Sequence, residues 1–242
     1  MADLDIIIPV YNEKENITGV LNALSRMVRT PFRLLICYDD DDDNTLPVVR
    51  GYDAPFEIVL VKNRGKGAHA AVRTGFGNSS SPAVIVLTAD DTFNAGIIDR
   101  MYGRFADGCD IVAPSRFLKG GCMKNCPLLK AVFARVSSFT LYWLAGIPVH
   151  DATNGFRLFS RKVLKEIEIE STEGFTYSIE LLVKCHRLGW RIEEVPALWF
   201  ERTNGKSRFL VMRWLPHYFR WYFYAFQTRY NRFFPEKRGM NG

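Results

Sequence analysis

The chain has 242 residues, 48% of them hydrophobic and 24% charged, with 18 Gly and 11 Pro. These shares exclude a disordered or fibrous chain, and the length suits one α/β domain, a class that runs to about 250 residues. The formal net charge of +6 is unevenly placed: nine of the 32 Lys and Arg but one of the 26 acids lie from Arg202 onward, which leaves 23 bases against 25 acids before it. Asp5-Ile-Ile-Ile-Pro-Val10 is a short β-branched run closed by Tyr11-Asn-Glu13 and predicts a buried strand. Apolar residues at 17, 20, 21, 24 and 27 predict a helix over 15–27. Further apolar runs at 32–37, 56–61, 83–87 and 110–113 predict four more strands. The second ends in the acidic burst 39–43, and the fourth ends at Thr88-Ala-Asp-Asp91. Gly65-Lys-Gly67 opens an Ala-rich helix after the third. Strands alternating with helices at this spacing argue for a mostly parallel α/β sheet with right-handed crossovers. Beyond Ser115 the rhythm breaks: helices are expected over 128–144 and 177–188, a short strand over 156–158 and a late strand over 191–200.

Residues 136–150 form the longest mostly apolar stretch without Asp, Glu, Lys or Arg, too short for a bilayer span of ~20 residues. No basic segment or cleavage site precedes the first apolar run, so no signal peptide is expected. Five scattered cysteines make neither a disulfide framework nor a zinc set, which fits a reducing, cytoplasmic setting. His69, His150, His186 and His217 share no metal-ligand spacing and read as ordinary histidines, and Glu193 and Glu194 as strand-edge charges. Open parallel sheets bind ligands outside the carboxyl ends of their strands. The polar loops there are Tyr11-Asn12-Glu13, the 39–43 cluster, Asp90-Asp91 and Gly65–Gly67, where Lys66 and the N–H groups at the helix start suit a phosphate.

With these residues laid out, the chain resembles the inverting family 2 glycosyltransferases of GT-A fold, and among them the polyprenyl- or dolichyl-phosphate mannose synthases. Asp5-Ile-Ile-Ile-Pro-Val-Tyr-Asn-Glu13 is similar to the family's opening strand and nucleotide turn, and Pro114-Ser-Arg-Phe117 to its Gly-Ser-Arg-Tyr. Asp151-Ala-Thr-Asn-Gly-Phe-Arg-Leu-Phe159 resembles Asp-x-Thr-x-x-Phe-Arg-Leu-Tyr, and Glu201-Arg-Thr-Asn-Gly-Lys-Ser-Arg208 resembles Asp-Arg-x-x-Gly-Glu-Ser-Lys. The resemblance implies a transferase domain over 1–208 that moves a hexose, in the first place mannose from GDP-mannose, onto a polyprenyl phosphate. A UDP-sugar transferase acting on another lipid phosphate or a glycan is the alternative, and a nucleotide-sugar-binding subunit without turnover is a third reading.

The roles implied are these. Pro9, Tyr11, Glu13, Asp39, Lys66, Gly67 and Ala89 hold the sugar nucleotide. Asp90, with Asp91 in place of an absent second family carboxylate, holds Mg²⁺ or Mn²⁺, which neutralises the leaving diphosphate. Asp90, Asp151 and Arg202 serve catalysis, Asp151 by orienting the sugar or the attacking group. Arg116, Lys130, Arg202 and Ser207 receive the acceptor phosphate. Lys130 and Ala134 stand where the family has Arg and Ser, and Tyr38 and Thr88 also replace polar or acidic family residues. The basic aromatic tail over 209–242, kinked or restarted at Pro216, is expected as interfacial helices on the cytoplasmic membrane face. Its alternatives are to cover the transferase body or to meet a membrane-spanning partner subunit. It is too apolar for a nucleic-acid arm, so no nucleic acid is expected.

Overall fold

A computed structural model describes residues 2–200 and 211–233, with side chains over 215–227 in the second segment. β1 (Leu4–Val10), α1 (Ile17–Met27), β2 (Phe32–Tyr38), α2 (Thr45–Arg50), β3 (Glu57–Lys62), α3 (Gly67–Asn78) and β4 (Ala83–Val86) alternate strand with helix. A 3₁₀ turn (Ala95–Ile97) leads into α4 (Ile98–Ala106) and β5 (Ile111–Ser115). Then come β6 (Cys122–Lys124), α5 (Leu128–Trp143), β7 (Arg157–Ser160), α6 (Arg161–Glu166), α7 (Thr176–Arg187), β8 (Ile192–Pro196), β9 (Leu198–Phe200) and α8 (Val211–Phe233). Seven strands form one sheet in the order β3-β2-β1-β4-β7-β5-β8, in which β7 alone runs antiparallel to its neighbours. β6 and β9 make a separate parallel pair.

The period-two geometry of strands sorts the apolar runs onto two faces. Ile6, Ile8, Leu34 and Ile36 point to a core shared with Leu21 and Leu24 of α1, Leu46 of α2 and Met101 of α4. Ile7, Leu35 and Cys37 point to the other, shared with Val72 of α3, Leu141 of α5, Val163 of α6 and Tyr177 of α7. Both faces are covered, as a parallel sheet requires. α3 lies so close that a Cβ on Gly75 would come within 2.7 Å of Ile7 Cγ2.

Several elements differ from expectation, among them α4, α6 and β6, which no apolar pattern announced. The late strand over 191–200 is two strands that join different sheets. The break is at Ala197, whose N–H donates to Ser115 O while its carbonyl accepts from Cys122 N. α2 was not foreseen, because it is a single short helix emerging from an Asp-rich stretch. Among the described residues the tail is one helix that continues through Pro216 without a restart.

α8 also covers the body. Trp221 is 2% exposed and Ala225 fully buried, both in the core beneath α7. Lys184 of α7 lies over the Trp221 ring at 4.9 Å, and Tyr222 Oη donates to Thr140 Oγ1 of α5 at 2.8 Å. Trp221→Ala is expected to destabilise the protein by about 3–5 kcal/mol, the usual range for a buried large aromatic. Denaturant unfolding checks this, and an unchanged midpoint would show that α8 does not belong to the core.

Candidate active site

The register of the sheet sets the carboxyl ends of the parallel strands side by side. Val10 pairs with Tyr38, Tyr38 with Lys62, and Leu87 N donates to Ile7 O just past the end of β4. β7 runs the other way, so the loop that enters it, 151–156, reaches the same edge as Asp90 and Arg116. Pro9, opposite Cys37, and the exposed Tyr11 bring β1 to this edge.

The turn after β1 is held from below. Asn12 takes a left-handed φ of 55°, which costs a non-glycine residue energy unless its surroundings fix it. The fixing group is Asp43, 5% exposed. Both its oxygens accept from Asn12 N at 3.1 Å, and Oδ1 accepts from Thr45 N at 2.8 Å and Thr45 Oγ1 at 2.5 Å. Thr45 Oγ1 in turn accepts from Glu13 N at 2.9 Å. Asp43 thus ties the turn after β1 to α2, a role the acidic burst did not reveal in sequence. Asp43→Ala leaves buried amides without their acceptor and frees the strained turn. Donor KM is expected to rise roughly tenfold, equivalent to one such hydrogen bond to a charged group, with kcat less affected. Steady-state kinetics check it, and an unchanged KM would detach the turn from donor binding.

Asp39 closes the next loop. Its Oδ1 accepts from Asn63 Nδ2 at 2.6 Å and its Oδ2 from Gly67 N at 2.7 Å, where Gly67 has φ 84°. Asn63 Oδ1 accepts from Gly65 N at 3.0 Å and Thr74 Oγ1 at 3.0 Å. The structure therefore brings Asp39 and Gly67 together. It also corrects one expectation: the Gly65 and Gly67 amides are taken by side chains of the protein, so they do not form a phosphate cradle. Lys66, exposed at the start of α3, carries the positive charge of this loop.

Past β4, Ala89 is buried and Asp90 and Asp91 are partly covered. Asp91 is committed to its own loop. Oδ1 accepts from Phe93 N at 3.1 Å and Asn94 N at 3.0 Å, and Oδ2 accepts from Asn94 Nδ2 at 2.7 Å. Asn94 also bonds both N and O of Leu198, which fastens this loop to β9. Burial pushes the Asp91 carboxyl up, against the hydrogen bonds from Asn94 and Phe93 and with the help of the Asp90 charge. Asp91, expected with Asp90 to hold a metal, shapes its own loop through these bonds. Among the described residues no group of three His, Cys, Asp or Glu could hold a metal. Asp90 and Asp91 are oxygen donors of the kind Mg²⁺ and Mn²⁺ prefer, and such cations at nucleotide sites take one or two carboxylates and complete their coordination with substrate phosphates.

On the other flank, Arg116 and Asp151 form a buried pair. Arg116 Nε donates to Asp151 Oδ2 at 2.6 Å and Nη2 to Oδ1 at 2.8 Å, while the Arg116 amide donates to Oδ2 at 3.1 Å. Arg116 Nη2 also reaches Thr153 Oγ1 at 2.7 Å. Asp151 is fully buried. Burial alone would raise its carboxyl, but the Arg116 guanidinium more than offsets this and holds it below the usual range. Arg116, expected to grip an acceptor phosphate, and Asp151, expected to orient the sugar or the attacking group, hold each other, and Asp151 is the buried partner. Glu194, expected as a strand-edge charge, supports this corner. Its side chain is 8% exposed, Oε1 accepts from His150 N at 2.6 Å and Asp151 N at 3.3 Å, and Oε2 meets His150 Nδ1 at 2.7 Å. Arg157 of the same motif is fully buried beneath it, donating to Ser178 O at 2.5 Å, and burial lowers its guanidinium to about 10.

Lys130 lies half-buried in the first turn of α5, with Ala134 one turn on. Arg202 and Ser207 lie outside the described residues. His69 is a core histidine whose Nε2 meets Ser171 Oγ at 3.0 Å, and burial, then Arg73, lowers it to about 4.

Comparison with known proteins identifies the family and the fold. The model of the glycosyl transferase family 2 matches residues 5–168. The chain is 31% identical over 206 residues to a dolichyl-phosphate hexose transferase of Haloferax volcanii, covering 84% of this chain and 85% of that one. It is 27% identical over 211 residues to a polyprenol monophosphomannose synthase of Mycolicibacterium smegmatis, covering 84% and 79%. Among solved structures, glucosyl-3-phosphoglycerate synthase of Mycobacterium tuberculosis, in complex with Mn²⁺, UDP and phosphoglyceric acid, superposes with a TM-score of 0.66 at 16% identity, over 94% of this chain and 78% of that one. It shares the fold. A mostly parallel sheet with its loops gathered at one edge, and a family match over most of the chain, make this protein a member of glycosyl transferase family 2, an enzyme of GT-A fold.

Proposed function

We propose that the enzyme transfers a hexose from a nucleotide diphosphate sugar to a polyprenyl phosphate, with GDP-mannose as donor, at the cytoplasmic face of a membrane. The observation that carries this reading is that both relatives above, each aligned with 84% of this chain, are named for transfer involving a dolichyl or polyprenol phosphate. The chemistry of the site supports it. A phosphate acceptor is already anionic near neutral pH and needs no strong general base. Asp151 is paired with Arg116, which holds its carboxyl below the usual range and so makes it a weak base.

Pro9, Tyr11, Glu13, Asp39, Lys66, Gly67 and Ala89 line the donor side in this reading. Asp90 would hold Mg²⁺ or Mn²⁺, which supplies charge neutralisation at the leaving diphosphate. Arg116, Lys130, Arg202 and Ser207 would place the acceptor phosphate, with Asp151 orienting Arg116.

The test pairs a thermal-shift panel of GDP, UDP and their sugar conjugates, with and without Mn²⁺, with transfer of labelled sugar to a polyprenyl phosphate in detergent. A selective donor at 100 times its Kd stabilises by about 2.7 kcal/mol. Stabilisation by GDP-mannose with Mn²⁺ and labelled lipid product are expected. A shift with UDP-sugars alone replaces the donor, and transfer to a soluble acceptor without lipid product overturns the reading.

A further inference from the structure

Two neighbouring acids of β8 face opposite ways, because side chains alternate along a strand. The Glu193 side chain is 26% exposed and accepts from Arg191 Nε at 3.1 Å. Glu194, in register with Ala113 of β5, points instead to the His150–Asp151 corner. One of its oxygens takes the amides of both corner residues, and the other meets the ring of His150. That ring is also stacked on Tyr142 of α5, with centroids 4.0 Å apart and an interplanar angle of 26°. The residue before Asp151 is thus held at its amide, its ring edge and its ring face.

The same corner carries two arginines and two acids. Arg157 is fully buried, and it donates from Nη1 to Ser178 O at 2.5 Å and from Nη2 to Ala152 O at 3.4 Å. Its Nε has no hydrogen-bond partner. A buried guanidinium held by carbonyls alone needs negative charge nearby. Burial lowers the Arg157 guanidinium, and the acids whose charges oppose that shift are Asp151 and Glu194. Asp151 is therefore attracted by both arginines but bonded to one. Its two oxygens are taken by Nε and Nη2 of Arg116. Glu194 supplies the second negative charge, so that Arg157 does not compete for Asp151.

We infer that Glu194, assisted by His150, is a positioning residue for Arg116: it fixes the backbone at 150–151 and balances Arg157, and so keeps Asp151 on the Arg116 guanidinium. The inference rests on the reading of Arg116 as a group that places the acceptor phosphate. In that reading Nη1 is the nitrogen with capacity left for a phosphate oxygen, since its neighbour Met123 Sδ, at 3.8 Å, is a weak acceptor. A guanidinium fixed through Nε and Nη2 presents Nη1 in one direction, because the group is planar. Loosening Asp151 should therefore affect the acceptor and leave the donor side, built on Asn12, Asp39 and Gly67, as it is.

The test uses the full chain, a polyprenyl phosphate in detergent, and two readouts. Glu194→Gln keeps an oxygen for the two amides but removes the charge. It should raise acceptor KM roughly tenfold, the scale of one hydrogen bond to a charged group, with donor KM unchanged. His150→Ala should raise acceptor KM in the same sense, and His150→Asn, whose amide can still donate to Glu194, should restore most of it. Glu193→Gln, which removes the same charge from the other face of β8, should behave as the wild type. The second readout needs no acceptor: in protein labelled with ¹⁵N-arginine, the Nε–H signal of Arg116, identified by its loss in Arg116→Lys, should shift and broaden in Glu194→Gln. If that variant does not fold, the His150 variants carry both readouts, since the His150 side chain is 41% exposed. An unmoved Arg116 signal with wild-type acceptor KM overturns the inference. So does an equal rise of donor and acceptor KM, or a fall in Tm with neither readout changed, which marks a merely structural staple. A wild type that forms no lipid product overturns the acceptor reading, while the Arg116 signal still decides the positioning.

Discussion

Asp90→Asn should lower turnover by roughly two to three orders of magnitude while leaving the melting temperature nearly unchanged. Losing one preorganised group that meets developing charge costs about 2.7–4 kcal/mol of barrier, and a neutral amide is a poor ligand for a hard cation. Asp90 lies past the end of β4 at the ligand-binding edge, whereas its neighbour Asp91 is bound up with Phe93 and Asn94. The two substitutions should therefore separate. Asp91→Asn perturbs the loop that Asn94 fastens to Leu198, so it should lower stability more and turnover less than Asp90→Asn. Chelation gives an independent arm, since excess EDTA should silence the wild type. Full activity in EDTA, or equal losses for both variants, would return the metal role to other groups.

Sequence alone gave ready access to the sheet. Residues 5–10, 32–37, 56–61 and 83–87 are compact apolar runs between polar loops, and because both faces of a parallel sheet are buried their lack of alternation was itself informative. The motif residues were legible as places but less so as roles. Asp39 and Gly67 are 28 positions apart and meet only because β2 and β3 end side by side. Glu194 reaches His150 only through the pairing of β5 with β8, which no local pattern encodes. A solvated Asp run hides the one member, Asp43, that is buried and holds Asn12. The α5 stretch is apolar nearly all round, so periodicity cannot say which side faces the core. In α8 the aromatics divide between core and exterior, with Trp221 inside and Phe223 outside, a division set by the surface of α7.

The Arg116–Asp151 pair carries the other large effect, and it falls on stability as well as rate. Arg116→Ala strands a fully buried carboxylate, and removing one partner of such a pair typically costs about 3–5 kcal/mol. For a chain of this size each kcal/mol is worth about 2–4 °C, so Tm should fall by about 6 °C or more. Asp151→Asn keeps the shape but leaves the Arg116 guanidinium without its counter-charge, and should destabilise as well. Because the pair acts as a unit, the double variant Arg116→Met/Asp151→Asn should lose clearly less than the sum of the singles, with a coupling of about 1–3 kcal/mol. The pH response has a fixed sign. Arg116 holds the Asp151 carboxyl below its unfolded value, so the stability it contributes is complete above that value, about 3.9, and is lost as pH falls through the lower folded value. Asp151→Asn should remove that portion of the acid-side loss, which thermal melts across the acid range would reveal. A catalytic base predicts the opposite pattern: a large fall in kcat at unchanged Tm, with additive singles. That outcome would make Asp151 a group touching the reacting atoms, and a fall in Tm shared by both singles would establish the pair as the post on which the loop before β7 is built.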